Sequence, residues 1–290
     1  TVVRCDQSGP CSDQGADCDY GEAVPRTDVV VDNLTGLMWF RDGDYFNLGS
    51  GNGWHMSFVV YHIDNIFNVP NSGYNVCGYY DWRLPNVNEM ASLLNPGQAP
   101  GWLNSQGFVD IKQQYWTSTT SAYSPSMGLY VDLGGSIYRY GKNWGYAPLF
   151  MLVRDSVIEP RSQVARTGQT ACYDYSGNVI ACAGTGQDGE LQKGVAALSP
   201  RFTKPNGSTP ANQDVVLDRL TYLMWTRDAY LPGETKLWQG ALDFVAGLNS
   251  SAYGGYSDWR LPNLFELRSL QDYSQSSPAL PSDHPFINVQ

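Results

Sequence analysis

Apolar and polar positions alternate in a short stretch near residue 30 of this chain, where Val29 and Val31 are set against Asp28, Val30 and Asp32. A period of two is the mark of a strand. The run then crosses the turn formers Asn33-Leu34-Thr35-Gly36 into Leu37-Met38-Trp39, so the pattern predicts a β-hairpin. Farther on, Leu237, Ala241, Leu242, Val245 and Leu248 fall three and four apart. That spacing predicts an amphipathic helix over 237–249, and a related segment opened by Trp54 predicts its counterpart at about 55–67. After each Leu-Pro, an asparagine (Asn86, Asn263) is followed three positions later by a glutamate (Glu89, Glu266). Such a pair can form a capping box, the Asn side chain accepting the N3 amide while Glu reaches back to the N-cap amide. Helices are therefore predicted from about 87 to 95 and 264 to 272.

These elements recur in order. Residues 28–42, DVVVDNLTGLMWFRD, align without a gap on 214–228, DVVLDRLTYLMWTRD, and YDWRLPNVNEMASLL at 80–94 is echoed by SDWRLPNLFELRSLQ at 257–271. The Trp-led segments, from Trp54 and Trp238, lie between them. Three blocks repeated in one order mean a duplicated domain. The first copy continues through β-rich runs at 114–120, 128–133, 136–140 and 148–154, as an antiparallel sheet would. The second reaches Gln290 about where the first reads Gly107-Phe108-Val109-Asp110-Ile111, so only its first half is expected. The expected organisation is a Cys-containing N-terminal segment (1–26), a complete domain (27–155), a Gly/Ser/Pro-rich spacer stapled by a Cys172–Cys182 hairpin (156–208), and a half-copy (209–290).

With 290 residues, 42% hydrophobic and 16% charged, the chain can bury two cores. No run approaches the roughly 20 apolar residues of a membrane span. The opening TVVRCDQSGP lacks the basic-then-apolar order of a signal peptide, so any such segment is expected to be gone already. A net charge of -10, with 18 Lys and Arg scattered along the chain, argues against nucleic acid as a partner. The six cysteines point to an oxidising compartment. Cys172 and Cys182 flank two short strands around a Ser-Gly-Asn turn and should bond across it. Cys5 with Cys11 would close a small loop and leave Cys18 for Cys77, although four cysteines allow three pairings. Zinc is disfavoured, since there is no CxxC pair and none of the three His lies near the cysteines.

With TGLMW, the Trp-led helix, DWRLPNxxE, YWTSTT and a closing LVRD all in order, the first copy resembles the domain family at the C terminus of the Legionella collagen-like adhesin. The resemblance spans 27–155 and, for the first half, 209–290. The intervening TGQTACYDYSGNVIACAGTGQDGELQKG resembles the segment that precedes such domains in multi-copy members. RLPNVNE is also similar to the RLPTxxEWE segment of the formylglycine-generating enzyme group, and both groups look like variants of the C-type lectin fold. The resemblance implies an α+β, C-type-lectin-like domain of two helices, small antiparallel sheets and a long variable loop region, in a secreted bacterial surface protein.

Asp81-Trp82-Arg83 and Asp258-Trp259-Arg260 read as scaffold, a partly buried Asp–Arg pair beside a core Trp, and Trp39, Trp225, Trp54 and Trp238 are expected in the core. In contrast, Trp102, Tyr123, Tyr138, Tyr140, Trp144 and Tyr146 belong to the variable half, where aromatics can stack on sugar rings or dock a protein. Asp42, Asp44 and Asn47 have the oxygen-rich look of a calcium loop without EF-hand spacing, so calcium is the one metal the sequence suggests, with no cofactor required. The Glu-Pro-Asn and Trp-Asn-Asp signatures of lectin sugar sites are missing. No catalytic residues are expected. There is no GxSxG elbow and no nucleotide loop, and residues 78–155 lack the reactive cysteines that the formylglycine-generating chemistry needs. The leading expectation is a structural or adhesive surface protein that contacts other protein subunits, matrix or extracellular glycans. Its rivals are a carbohydrate-binding lectin and a self-assembling fibre subunit completed by strands from a neighbouring chain, with Thr1-Val2-Val3-Arg4-Cys5 as the donor.

Overall fold

Both hairpins form where the alternation places them. The computed structural model describes residues 2–3, 29–46, 48, 53–70, 76–145, 148–156, 164–211 and 215–290, which fall into two units, Thr1–Val195 and Ala196–Gln290. In the first unit β2 (Val29–Val31) pairs antiparallel with β3 (Leu37–Phe40), Val30 opposite Trp39. Asp32 holds the turn: its carboxylate accepts from Leu34 N and Thr35 Oγ1, while Gly36, at φ 70°, donates to its carbonyl. A positive φ there suits glycine, which has no Cβ to clash. The strands are buried on both faces rather than on alternate residues, and β2 and β3 are the central strands of a sheet ordered β1-β2-β3-β7. Here β1 is Val2–Val3 and β7 is Val153–Asp155.

Residues between β3 and β7 build the rest of this domain. Helix α1 (Met56–His62) runs on into a π-helical turn, Ile63–Phe67, and α2 (Val87–Ala91) carries the capping box at Asn86 and Glu89. After a short α3 (Trp102–Ser105), β4 (Gln114–Thr120), β5 (Met127–Asp132) and β6 (Ser136–Gly141) form a second antiparallel sheet in that order. The core lies between them. Phe40 packs edge-on to Trp82 and Phe67 with ring centres 4.7 and 5.3 Å apart, and Trp39 and Trp116 are fully buried.

The expected spacer proves to be partly structural. Residues 164–195 lie in the first unit, where β8 (Cys172–Tyr173) and β9 (Val179–Ile180) form the expected hairpin, closed by the Cys172–Cys182 disulfide, before α4 (Asp188–Leu191). This clasp is polar. Asp188 is buried and accepts from Thr119 Oγ1 (2.7 Å) and Thr167 Oγ1 (2.6 Å), Gln169 accepts from Thr120 N, and Asn86 Nδ2 donates to the Lys193 carbonyl. A side chain at Gly189 would collide with the Ala171 carbonyl. Composition alone read these Gly, Thr and Gln residues as a linker, but they are the small polar groups that let one backbone lie against another.

In the second unit, β10 (Phe202–Thr203), β11 (Val215–Asp218) and β12 (Met224–Thr226) repeat the arrangement of β1, β2 and β3. Helix α5 (Trp238–Ser250) and α6 (Leu264–Ser269), with its own capping box at Asn263 and Glu266, complete it. Its buried cluster is small: Phe202, Val216, Leu270 and Phe286. Trp238, expected in the core, is 75% exposed. Its counterpart Trp54 is sheltered by Phe46 and Phe150 and by Trp116, whose Nε1 donates to the Trp54 carbonyl. The proposed donor strand is also corrected, because Val2 and Val3 pair with Val30 and Val29 of their own chain.

Candidate functional site

Alternation along β5 and β6 decides which aromatics meet. Residues two apart in a strand share a face, so Tyr138 and Tyr140 lie together, and the register sets Tyr138 opposite Tyr130. Tyr130 is in turn opposite the buried Trp116 of β4. The result is a row of rings: Trp116 to Tyr130 at 6.4 Å, Tyr130 to Tyr138 at 5.6 Å, and Tyr140 to Trp144 at 5.4 Å. Tyr138 and Trp144 are about half exposed, at 50% and 56%. Gly141 makes room for the indole, since a Cβ there would fall 2.5 Å from Trp144. The Tyr140 hydroxyl donates to the Gly145 carbonyl and fixes the loop that carries Trp144.

One end of the row is polar. Asp132 stands two residues beyond Tyr130 and accepts from Gln113 Nε2 (3.0 and 3.1 Å) and from Gly134 N (2.8 Å). Burial pushes the Tyr130 hydroxyl above its ordinary pKa, helped by the nearby Asp132 and by Tyr138 and Tyr140, so it stays a neutral donor. Flat rings beside a held carboxylate and amides can stack on an apolar face and direct hydrogen bonds to hydroxyls at its edge.

Other candidates separate from this row. Tyr123 lies over Arg139 (4.3 Å), and Arg139 points to the opposite face from Tyr138 and Tyr140. Trp102 is half-buried on α3, and among the described residues it makes no ring contact with the other candidates. Tyr146 lies outside the described residues. Tyr130 was not singled out from sequence, because it meets Tyr138 only through the β5–β6 register.

In the acidic loop Asp42 and Asp44 are buried. Asp42 accepts from Asp44 N and Asp44 from Leu48 N, each at 2.8 Å, and Lys112 Nζ stands 3.7 Å from Asp44. Asn47 lies outside the described residues. Among the described residues no group of three or more His, Cys, Asp or Glu is placed to hold a metal ion. Cys77 is disulfide-bonded, and Cys5, Cys11 and Cys18 lie outside the described residues.

In the first DWR triplet the side chains have partners other than those expected. Asp81 and Arg83 do not pair with each other. Arg83 donates to both Glu89 oxygens at 2.7 Å and to Asp155 at 3.1 Å, while Asp81 meets Arg154 at 2.6 Å. Glu89 is also the capping residue, so its buried charge needs Arg83, and Asp81 is left for a surface partner. Beside this cluster lies a cavity of about 330 Å³, with Asp64, Glu190 and Lys193 on its wall. Its cations are already paired, Lys193 with Asp155 at 2.8 Å. In the second unit Arg260 pairs with Glu266, Trp259 is half-buried and Asp258 is exposed.

Comparison with known proteins gives one family. A family model described as the Lcl C-terminal domain matches residues 28–154 and again 214–289. No curated protein and no solved structure matches the chain.

Proposed function

This chain belongs to the Lcl C-terminal domain family, with one full and one partial copy, and from that premise we propose that it is a secreted, non-enzymatic bacterial surface protein that adheres through the aromatic row of its complete domain. The family points to a Legionella collagen-like type of surface protein. The observation that carries the adhesive reading is the set of half-exposed rings of Tyr138 and Trp144, held in place by Tyr130, Tyr140 and Gly141. An exposed aromatic row on a rigid sheet is a contact surface, since ordered rings lose little entropy on binding. The Cys172–Cys182 bond fits an extracellular setting. Among the described residues no helix is long and apolar enough to cross a membrane.

The contact is taken to be with extracellular protein, matrix or glycan, on a domain that we regard as a C-type-lectin-like variant. A glycan reading is favoured by Asp132 and Gln113 at the end of the row, which would grip hydroxyls while the rings cover a pyranose face. The test is an array of glycans and purified matrix proteins probed with the whole chain, with and without calcium. Binding is expected to fall at least about tenfold in Tyr138→Ala and Trp144→Ala. Binding that both variants leave intact would remove the row from the account, and a dependence on calcium would return attention to Asp42 and Asp44.

A further inference from the structure

The aromatic row ends on a carboxylate that no cation answers. Asp132 is 8% exposed and its donors are neutral: Gln113 Nε2 reaches both oxygens, Gln114 Nε2 one of them at 3.4 Å, and the Gly134 amide the other. Among the described residues no ion pair includes it. The cations of neighbouring segments are engaged elsewhere, Lys112 with Asp110 and Asp44, Arg139 over Tyr123 on the opposite face, and Lys142 with the Tyr173 carbonyl. Neutral donors replace a carboxylate's water but leave its charge uncancelled.

That charge bears on the rings. Asp132 follows Tyr130 by two residues on one face of β5, about 7 Å along the strand, and it faces Ser136 across the β5–β6 register as Tyr130 faces Tyr138. It is also one of the groups that raise the Tyr130 hydroxyl. This end of the row is rich in acceptors: the carboxylate, and the oxygen of Gln113, whose amide nitrogen is spent on Asp132. Ring faces are themselves negative and attract cations. A sulfate or uronate would meet like charge here, on a chain whose net charge is -10. An ammonium, with three donors and no acceptor, is the complement.

Resting on the reading of the row as the adhesive contact, we infer that its ligand is a glycan of amino sugars with free amines, a pyranose face on Tyr138 and the ammonium on Asp132. The separation along β5 is about that of one sugar. A lysine or arginine side chain would satisfy Asp132, but a single stem cannot cover both half-exposed rings. A chain of pyranoses brings a flat apolar face to Tyr138 and another to Trp144, whose indole stands at 80° to Tyr140. The rings supply contact area, and the carboxylate selects the amine over a hydroxyl or an acetamide.

The experiment is calorimetric titration of the whole chain with three tetrasaccharides on one backbone: cellotetraose, the glucosamine tetramer and the N-acetylglucosamine tetramer, which carry a hydroxyl, a free amine or an acetamide at the second carbon. The amine form is expected to bind at least about fivefold more tightly than the other two. Asp132→Asn should abolish that preference and leave the affinity for cellotetraose unchanged, which also shows that the variant is folded. Tyr138→Ala should weaken all three at least about tenfold. Equal affinities for the three sugars, all lost in Tyr138→Ala, would overturn the inference and leave the row a contact for neutral glycans. A preference that survives Asp132→Asn would overturn it by placing the ammonium elsewhere. Tetralysine that binds as tightly, with the same dependence on Asp132, would make a basic protein the occupant instead. No binding of any sugar would remove the glycan reading together with the inference.

Discussion

The two copies carry the same capping box in different surroundings. In the first, Arg83 and Glu89 have side-chain exposures of 8% and 2%, and in the second Arg260 and Glu266 have 59% and 18%. The local geometry is nonetheless the same: both asparagines accept the N3 amide and both glutamates return to the N-cap amide. The motif therefore folds from its own sequence, and the surrounding strands only decide how dry it becomes. Hydrogen bonding from Arg260, followed by the Asn263 amide, holds the Glu266 carboxyl down at about 2. Its folded pKa is depressed, so what it contributes is present above the unfolded value of about 4.5 and is lost as the pH falls toward 2.

Three experiments would break or sharpen this contrast. The largest effect is expected from Glu89→Ala, which strands the buried Arg83 and removes a cap. It should cost about 3–5 kcal/mol by urea denaturation, whereas Glu266→Ala should cost about 1 kcal/mol. Equal losses would mean that burial adds nothing to the motif. Next, Trp54→Ala should cost about 2 kcal/mol because its ring packs on Phe46 and Phe150, while Trp238→Ala, in solvent, should stay within about 0.5 kcal/mol.

The third experiment concerns the clasp of the first unit. Burial pushes the Asp188 carboxyl up to about 6, against the lowering effect of the Thr167 and Thr119 hydroxyls. A raised acid favours the protonated fold, so its stabilisation is full below the unfolded value of 3.8 and declines as the pH climbs through 6. Asp188→Asn should therefore gain about 1–2 kcal/mol at pH 7.5 and almost nothing at pH 4. A variant destabilised at both pH values would show that the carboxylate is needed as a charged acceptor.

What could be read beforehand divides along the same line. The hairpins, both capping boxes, the strands of the second sheet and the Cys172–Cys182 bond depend on residues close in sequence, and their signals are local. The partner of Asp81 is 73 positions away at Arg154, and Asp188 meets Thr119 across 69. Neither distance leaves a trace in periodicity. The same holds for the aromatic row. Tyr138 and Tyr140 were foreseeable as neighbours on one face, while Tyr130 joined them only once the register was known. Trp238 misled because an apolar stripe records what a helix could bury, and α5 has no buried residue.

The clasp also has a mechanical consequence. Tension applied from the Gln290 side travels along the backbone and reaches residues 164–195 before it reaches β7. The contacts made there by Asn86, Thr119 and Thr120 lie on that path, as does the ion pair that joins Lys193 to Asp155 of β7, so the clasp and the β3–β7 pairing share the load. The Cys172–Cys182 bond spans a sequence separation of 10, and it withholds that loop from the length released as the clasp gives way. The bonded loop thus shortens what the first domain can pay out under tension.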